Sequence, residues 1–144
     1  MSEQNFSNHA RYVPGFHIVL FGMLFLSLIG ASVNLYHSLD DHTRLYSASL
    51  LVVVFVSLLM LFFYARSFAL KAQDRAIRAE ENLRHFVMTG RMLDSRLTMR
   101  QVIALRFASD GEFVKLAMRA ASEDMSSVDI KKAITNWRAD NYRV

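Results

Sequence analysis

Two apolar runs dominate the pattern of this chain, Phe16 to Tyr36 and Leu45 to Tyr64, and neither holds a Lys, Arg, Asp or Glu. A helix needs about 20 such residues to cross a hydrocarbon layer of roughly 30 Å. Both runs reach that length, so the pattern predicts a transmembrane helical hairpin with spans at about 16–36 and 45–64. Beyond Tyr64 the chain turns charged and helix-forming. No Gly or Pro occurs between Leu45 and Met88. The second span therefore continues as one long cytoplasmic helix, about 66 Å at 1.5 Å per residue.

Local signals place the ends of the elements. Pro14 suits the first turn of a helix, where its missing N–H would go unpaired anyway, so the first helix is expected to begin near residue 14 or 15. Asp40 and Asp41 sit in a tight turn and cap the second span near Asp41 or Thr43. Downstream, three start signals precede apolar series of helical period. These are Thr98 with Gln101, Ser109 with Glu112, and Ser126 with Asp129, or Ser127 as the cap itself. The third series is expected to run through Ile130, Ala133, Ile134 and Trp137. Gly90 and Gly111 fall at expected breaks, and Thr89–Leu97 is the expected bend. The fold class is thus all-α, with four regions: a polar tail at 1–13, the hairpin at 14–64, a cytoplasmic helix at 65–92 and a cluster of short helices at 93–144.

Two stripes are candidate helix interfaces. In the first span, Met23, Ser27, Gly30 and Asn34 share one face; small residues let helices approach closely in lipid, and Asn34 can hydrogen-bond across them. Packing of this stripe against the second span, with Ser49 and Ser57 facing it, is the favoured reading, and an intermolecular interface is the alternative. On the long helix, Ala65, Ala69, Ala72, Ala76, Ala79, Leu83 and Phe86 recur at alternating spacings of three and four, a coiled-coil seam built mostly from Ala. Self-association and docking of the C-terminal helices compete for that seam. The pairs Asp74–Arg78, Glu80–Arg84 and Glu81–His85 at i,i+4 mark a solvated face.

Charge fixes the expected orientation. Residues 65–144 carry 15 of the 17 Lys and Arg against 10 Asp and Glu, a net of +5. The loop between the spans, His37 to Arg44, has Asp40, Asp41 and a single basic residue. The bias of Lys and Arg in short flanking segments places both termini in the cytoplasm. Arg11, Arg66, Lys71, Arg75 and Arg78 are the expected contacts with anionic lipid headgroups. The first run exceeds the roughly 7–15 residues of a secretory core, so it is expected to stay on the chain.

Candidate chemistry is sparse. With no Cys in the chain, thiolate metal sites and cysteine nucleophiles drop out. His37, Asp41 and His42 are weak metal candidates, because imidazole and carboxylate both ligate divalent ions. His17 stands at the edge of the first span, where a neutral imidazole reaches the headgroups; a bis-His haem would need a second intramembrane His. No cofactor is expected. The last helix offers Lys131, Lys132, Asn136 and Arg138 against Asp129 and Asp140, too thin a basic face for a nucleic-acid reader. No Gly-rich phosphate loop or nucleophile motif stands out, so no enzymatic activity is expected.

The opening Gln4-Asn5-Phe6-Ser7-Asn8-His9-Ala10-Arg11-Tyr12-Val13-Pro14, the stretch from Leu97 to Asp110 and the stretch from Ile130 to Asp140 resemble a group of small bacterial inner-membrane proteins of unknown function. These have two spans and a helical cytoplasmic region. The resemblance covers essentially the whole chain and implies bacterial origin, inner-membrane location and architecture, but no activity. The expected function is a non-enzymatic integral membrane scaffold or interaction protein that self-associates through the spans and the Ala-rich helix. An accessory subunit of a larger membrane complex, or an oligomeric pore or carrier, is the alternative. The polar tail is expected either to lie on the membrane surface, to dock on the cytoplasmic domain, or to fray.

Overall fold

The computed structural model describes residues 4–8 and 12–140. The described residues form five helices and no strand: α1 (Gly15–His37), α2 (His42–Thr89), α3 (Met99–Leu105), α4 (Asp110–Ser122) and α5 (Ser127–Ala133). They fall into two units. One is Tyr12–Ala69; the other joins the described part of the N-terminal tail to the residues from Leu70 onward. The 48 residues of α2 therefore contribute to both.

In the first unit, α1 starts directly after Pro14, and its first turns, Gly15–Leu20, are π-wound. The His17 ring is held locally, with Nδ1 3.0 Å from the Val13 carbonyl oxygen and Tyr12 stacked on it at 4.6 Å. Asp41 caps α2 by accepting from the Thr43 and Arg44 N–H groups at 3.0 and 3.3 Å, as its place in the turn predicts.

The least exposed face of α1 is Phe21, Leu24, Leu28, Ala31, Leu35 and Ser38. On α2 it is Leu45, Ala48, Val52, Phe55, Leu59 and Phe62. Both stripes alternate spacings of three and four, the repeat of a coiled-coil seam. Phe62 meets α1 directly: its ring stacks on Phe16 at 4.2 Å and lies 5.8 Å from Phe21. The stripe of Met23, Gly30 and Asn34 lies on another face and stays exposed, with Ser27 only partly covered. The expected packing of those residues against α2 is therefore corrected. Ser57 is exposed and bonds the Val53 carbonyl of its own helix, and Ser49 that of Tyr46.

In the second unit, α3, α4 and α5 pack on one another around Leu97, Val102, Leu105, Phe107, Phe113, Leu116, Ala120, Ile130 and Ile134. Thr98 and Gln101 make the full capping box ahead of α3. Ser126 caps α5 by accepting from the Asp129 N–H at 3.1 Å. The bend at Thr89–Leu97 is present, and Gly90 opens it with φ +71°, the left-handed conformation that ends helices cheaply only at Gly.

Three expectations for this unit change. Gly111 lies inside the first turn of α4 rather than at the break. Ser109 is the N-cap of α4, but its side chain makes no cap bond; the Glu112 carboxylate instead takes up Thr135 and Asn136. Finally, α5 stops at Ala133. The chain then extends, and Trp137 bridges Ala108 with the Arg138 N–H donating to the Phe107 carbonyl at 2.7 Å.

Candidate functional site

The stretch of α2 that belongs to the second unit has two contrasting faces. One is buried through Ile77, Glu81 and His85, successive residues four apart and therefore on one side of the helix. Glu81 is 4% exposed. Its Oε2 accepts from Arg84 Nη1 at 3.0 Å, and its Oε1 lies 3.6 Å from Arg138 Nη1. Arg84 is itself largely buried. It donates to Asp110 Oδ1 at 2.6 Å and to the Ala108 carbonyl at 2.8 Å, and its guanidinium covers the Phe113 ring at 4.2 Å. This one side chain ties α2 to the start of α4. Burying both charges is tolerated because Glu81 faces two guanidiniums, while Arg84 faces two carboxylates and also bonds the Ala108 carbonyl.

His85 completes that face. Its Nδ1 is 2.7 Å from the Arg91 carbonyl oxygen, an obligate acceptor, so Nδ1 carries the proton. The ring packs edge-on against Phe113 at 6.0 Å. Glu81 and His85 were expected on a solvated face, and Arg84 was expected to pair with Glu80; both expectations are overturned. The sequence pattern misses this because charged residues read as solvent-facing unless their partners are known. Those partners, Asp110, Phe113 and Arg138, lie 26 to 57 positions away.

The other face of the same helix is bare. Ala72, Ala76 and Ala79 are exposed, Leu83 is 62% and Phe86 49% exposed, while Ala65 and Ala69, in the first unit, are exposed and partly covered. The C-terminal helices therefore do not dock on the Ala seam. Arg66, Lys71, Arg75 and Arg78 make no ion pair among the described residues. Arg11 lies outside the described residues.

The remaining candidates are dispersed. His37 stacks edge-on with Tyr36, and Asp41 is committed to the α2 cap and to Arg44 at 3.3 Å. Among the described residues no three His, Asp or Glu side chains group to hold a metal. Asn136 and Arg138, read as part of a last helix, lie beyond its end at Ala133.

Of the fates expected for the tail, docking on the C-terminal region is the one seen: Gln4 Oε1 accepts from the Asp140 N–H at 2.8 Å, and Phe6 lies 6.0 Å below Lys132 Nζ. One feature escaped the sequence reading. Glu112 is held ionised. Burial works against its charge, but the Thr135 hydroxyl and the N–H groups of Thr135, Asn136 and Ser109 outweigh it and keep its pKa below the usual carboxylate value. At the bend, the bidentate Arg96 guanidinium pulls Asp94 down to about 2.

No curated protein and no solved structure matches this chain. A family model matches residues 1–144 throughout, and the chain belongs to that family, the family of unknown function DUF6526.

Proposed function

We propose that this protein is a non-enzymatic integral membrane scaffold of the bacterial inner membrane, which self-associates through α2. Two helices are long and apolar enough to cross a membrane, and their most apolar windows are almost wholly uncovered. The core helix of a soluble protein would be buried, so lipid is the natural solvent for this surface. The two helices then form the transmembrane hairpin, with Phe16 and Phe21 meeting Phe62 near one membrane face.

The Gln4–Asp140 bond supports the orientation. The tail and the C-terminal region share one side, so the chain between them crosses the bilayer an even number of times. The surplus of Lys and Arg from Ala65 onward places that side in the cytoplasm. Arg66, Lys71, Arg75 and Arg78 then meet anionic headgroups.

The observation that carries self-association is the bare face of α2. The C-terminal helices occupy the Ile77, Glu81 and His85 side, leaving the Ala seam with Leu83 and Phe86 to water. A coiled-coil stripe that ends in two large exposed apolar residues is suited to another helix. Gly30 and Asn34 on α1 are likewise open for close approach within the lipid.

Native mass measurement of the protein extracted in mild detergent tests this reading. A homo-oligomer is expected. A monomer retained with unlike proteins would replace it with an accessory-subunit role.

A further inference from the structure

The bare stretch of α2 from Ala72 to Phe86 lies within one unit. It follows a heptad, with Ala76 and Leu83 at the a positions and Ala72, Ala79 and Phe86 at the d positions. Leu83 and Phe86 remain 62% and 49% exposed, and Val87 beside them 75%. Glu81 falls at position f. At about 100° per residue it lies about 170° round the helix from the middle of this stripe. The C-terminal helices pack on that far side, through Ile77, Glu81 and His85. They therefore stand on the outside of any pair of helices joined along the stripe.

Two charges flank the stripe. The e and g positions beside it are Gln73, Arg75, Glu80, Asn82 and Val87, of which Arg75 and Glu80 alone are charged. Arg75 is at g and Glu80 at e, each about 70° from the middle of the stripe and on opposite sides of it. Both are exposed, and neither makes an ion pair among the described residues. Their own helix offers no partner at the spacings of three and four where side chains meet. Around Arg75 those positions hold Lys71, Ala72, Arg78 and Ala79; around Glu80 they hold Ala76, Ile77, Leu83 and Arg84. Arg84 is committed to Glu81 and Asp110, and Arg138, across a groove from Glu80, lies 3.6 Å from Glu81. A cation at g and an anion at e, five positions apart, match what a parallel coiled coil in register brings together: the g residue of one helix faces the next e residue of the other.

We propose that a second copy of the chain occupies this face as a parallel, in-register coiled coil, with Arg75 of each copy paired to Glu80 of the other. This pairing rests on the self-association proposed above and names its register and the two residues that select it. Both copies send α2 out of the membrane in the same direction, so the pair is parallel. Leu83 and Phe86 then meet their own counterparts at the end of the stripe. A slip of one heptad sets Arg75 against Gln73 or Val87, and Glu80 against Phe68 or Asn82. Both ion pairs are therefore made in one register alone, and the charges act as a specificity device more than as a source of stability.

The test co-expresses two differently tagged forms of the full chain in one membrane, extracts them in mild detergent, recovers one tag and measures the other. Wild type should pair with wild type. Arg75→Glu sets a carboxylate against Glu80 in its own homodimer, and Glu80→Arg sets a guanidinium against Arg75. Each change turns two attractive pairs into two repulsive ones, so recovery of either variant with itself should fall about tenfold. Both positions are exposed, so the melting temperature should not change. Arg75→Glu expressed together with Glu80→Arg restores opposite charges at both places and should return recovery to the wild-type level. A mixed pair recovered no better than either variant with itself, the result if Arg75 serves lipid headgroups alone, would overturn the proposal. Full recovery of each variant with itself would do the same. In both cases wild-type pairing leaves self-association standing, whereas no pairing of the wild type would overturn self-association and this register with it.

Discussion

The two units of this molecule solve the same problem in opposite ways. In Tyr12–Ala69 the buried residues are Ala31, Ser38, Ala48 and Phe62, and large side chains such as Leu26, Val53 and Leu61 are exposed. From Leu70 onward, twelve residues from Leu97 to Ile134 form a dense core, and charged side chains fill the remaining interface. The first unit has almost no inside, which is stable only if its surroundings are apolar. The second hides its apolar groups from water and is stable through its own packing. Helix α2 takes part in both, with an apolar stripe in the first and a buried charged face in the second.

The largest expected effect tests the second unit. Phe113 is fully buried beneath Arg84 and against His85, so Phe113→Ala should cost about 3–5 kcal/mol in denaturant unfolding of the region after Leu70. A loss under about 1 kcal/mol would mean that the cluster is not a close-packed core. Glu81→Ala removes the partner of a nearly buried Arg84, which keeps Asp110. About 3 kcal/mol is expected, the low end for breaking a buried pair. Replacing Glu81 and Arg84 together with Met should cost less than the single change, and the double-mutant cycle reads the difference.

If the first unit lies in lipid as proposed, it answers to a different solvent. Val53→Asp falls on an exposed position of α2. In lipid it should raise the apparent insertion free energy by about 2.5–3.5 kcal/mol in a glycosylation-mapped insertion assay. In water the same exposed change would shift stability by no more than about 0.5 kcal/mol, and such a result would erase the contrast between the units.

A smaller effect separates hydrogen bonding from packing within the second unit. Glu112→Gln weakens the bonds from Thr135 and Asn136 and should cost about 1–2 kcal/mol at neutral pH. The carboxylate pKa is lower folded than unfolded. Its contribution is therefore fully present above the ordinary value of 4.5 and disappears as pH falls through the lower folded value. Wild-type stability should drop over that acid range, and the variant should lose that part of the slope. Parallel acid titrations of the two proteins would decide it.

What the residues reveal in advance is what their near neighbours decide. Pro14, Asp41, Thr98 with Gln101 and Ser126 act within a turn of their own position, and each marks an end where it is expected. The absence of Gly and Pro from Leu45 to Met88 is enough to read α2 as continuous. Distant partners are not legible in that way. Ser109 with Glu112 has the form of a capping box, yet Glu112 is taken up by residues 23 and 24 positions on. Glu81 and His85 look solvated until Arg138 and the start of α4 fold over them. The α1 stripe of small residues looked like the packing face, while the heptad of Phe21, Leu24, Leu28, Ala31, Leu35 and Ser38 beside it has the lower exposure. In a run apolar on every side, hydrophobicity carries no information about which side packs.

The central claim is that the face of α2 left bare by the C-terminal helices joins copies of the chain. The protein has no Cys, so single cysteines placed along α2 report contacts between copies without interference. Oxidative cross-linking in native membranes should give dimers for Ala72→Cys, Ala76→Cys, Ala79→Cys and Leu83→Cys, and little for Arg78→Cys or Asn82→Cys on the flank. Cross-linking of the flank as strong as that of the seam, or none at any position, would contradict the account.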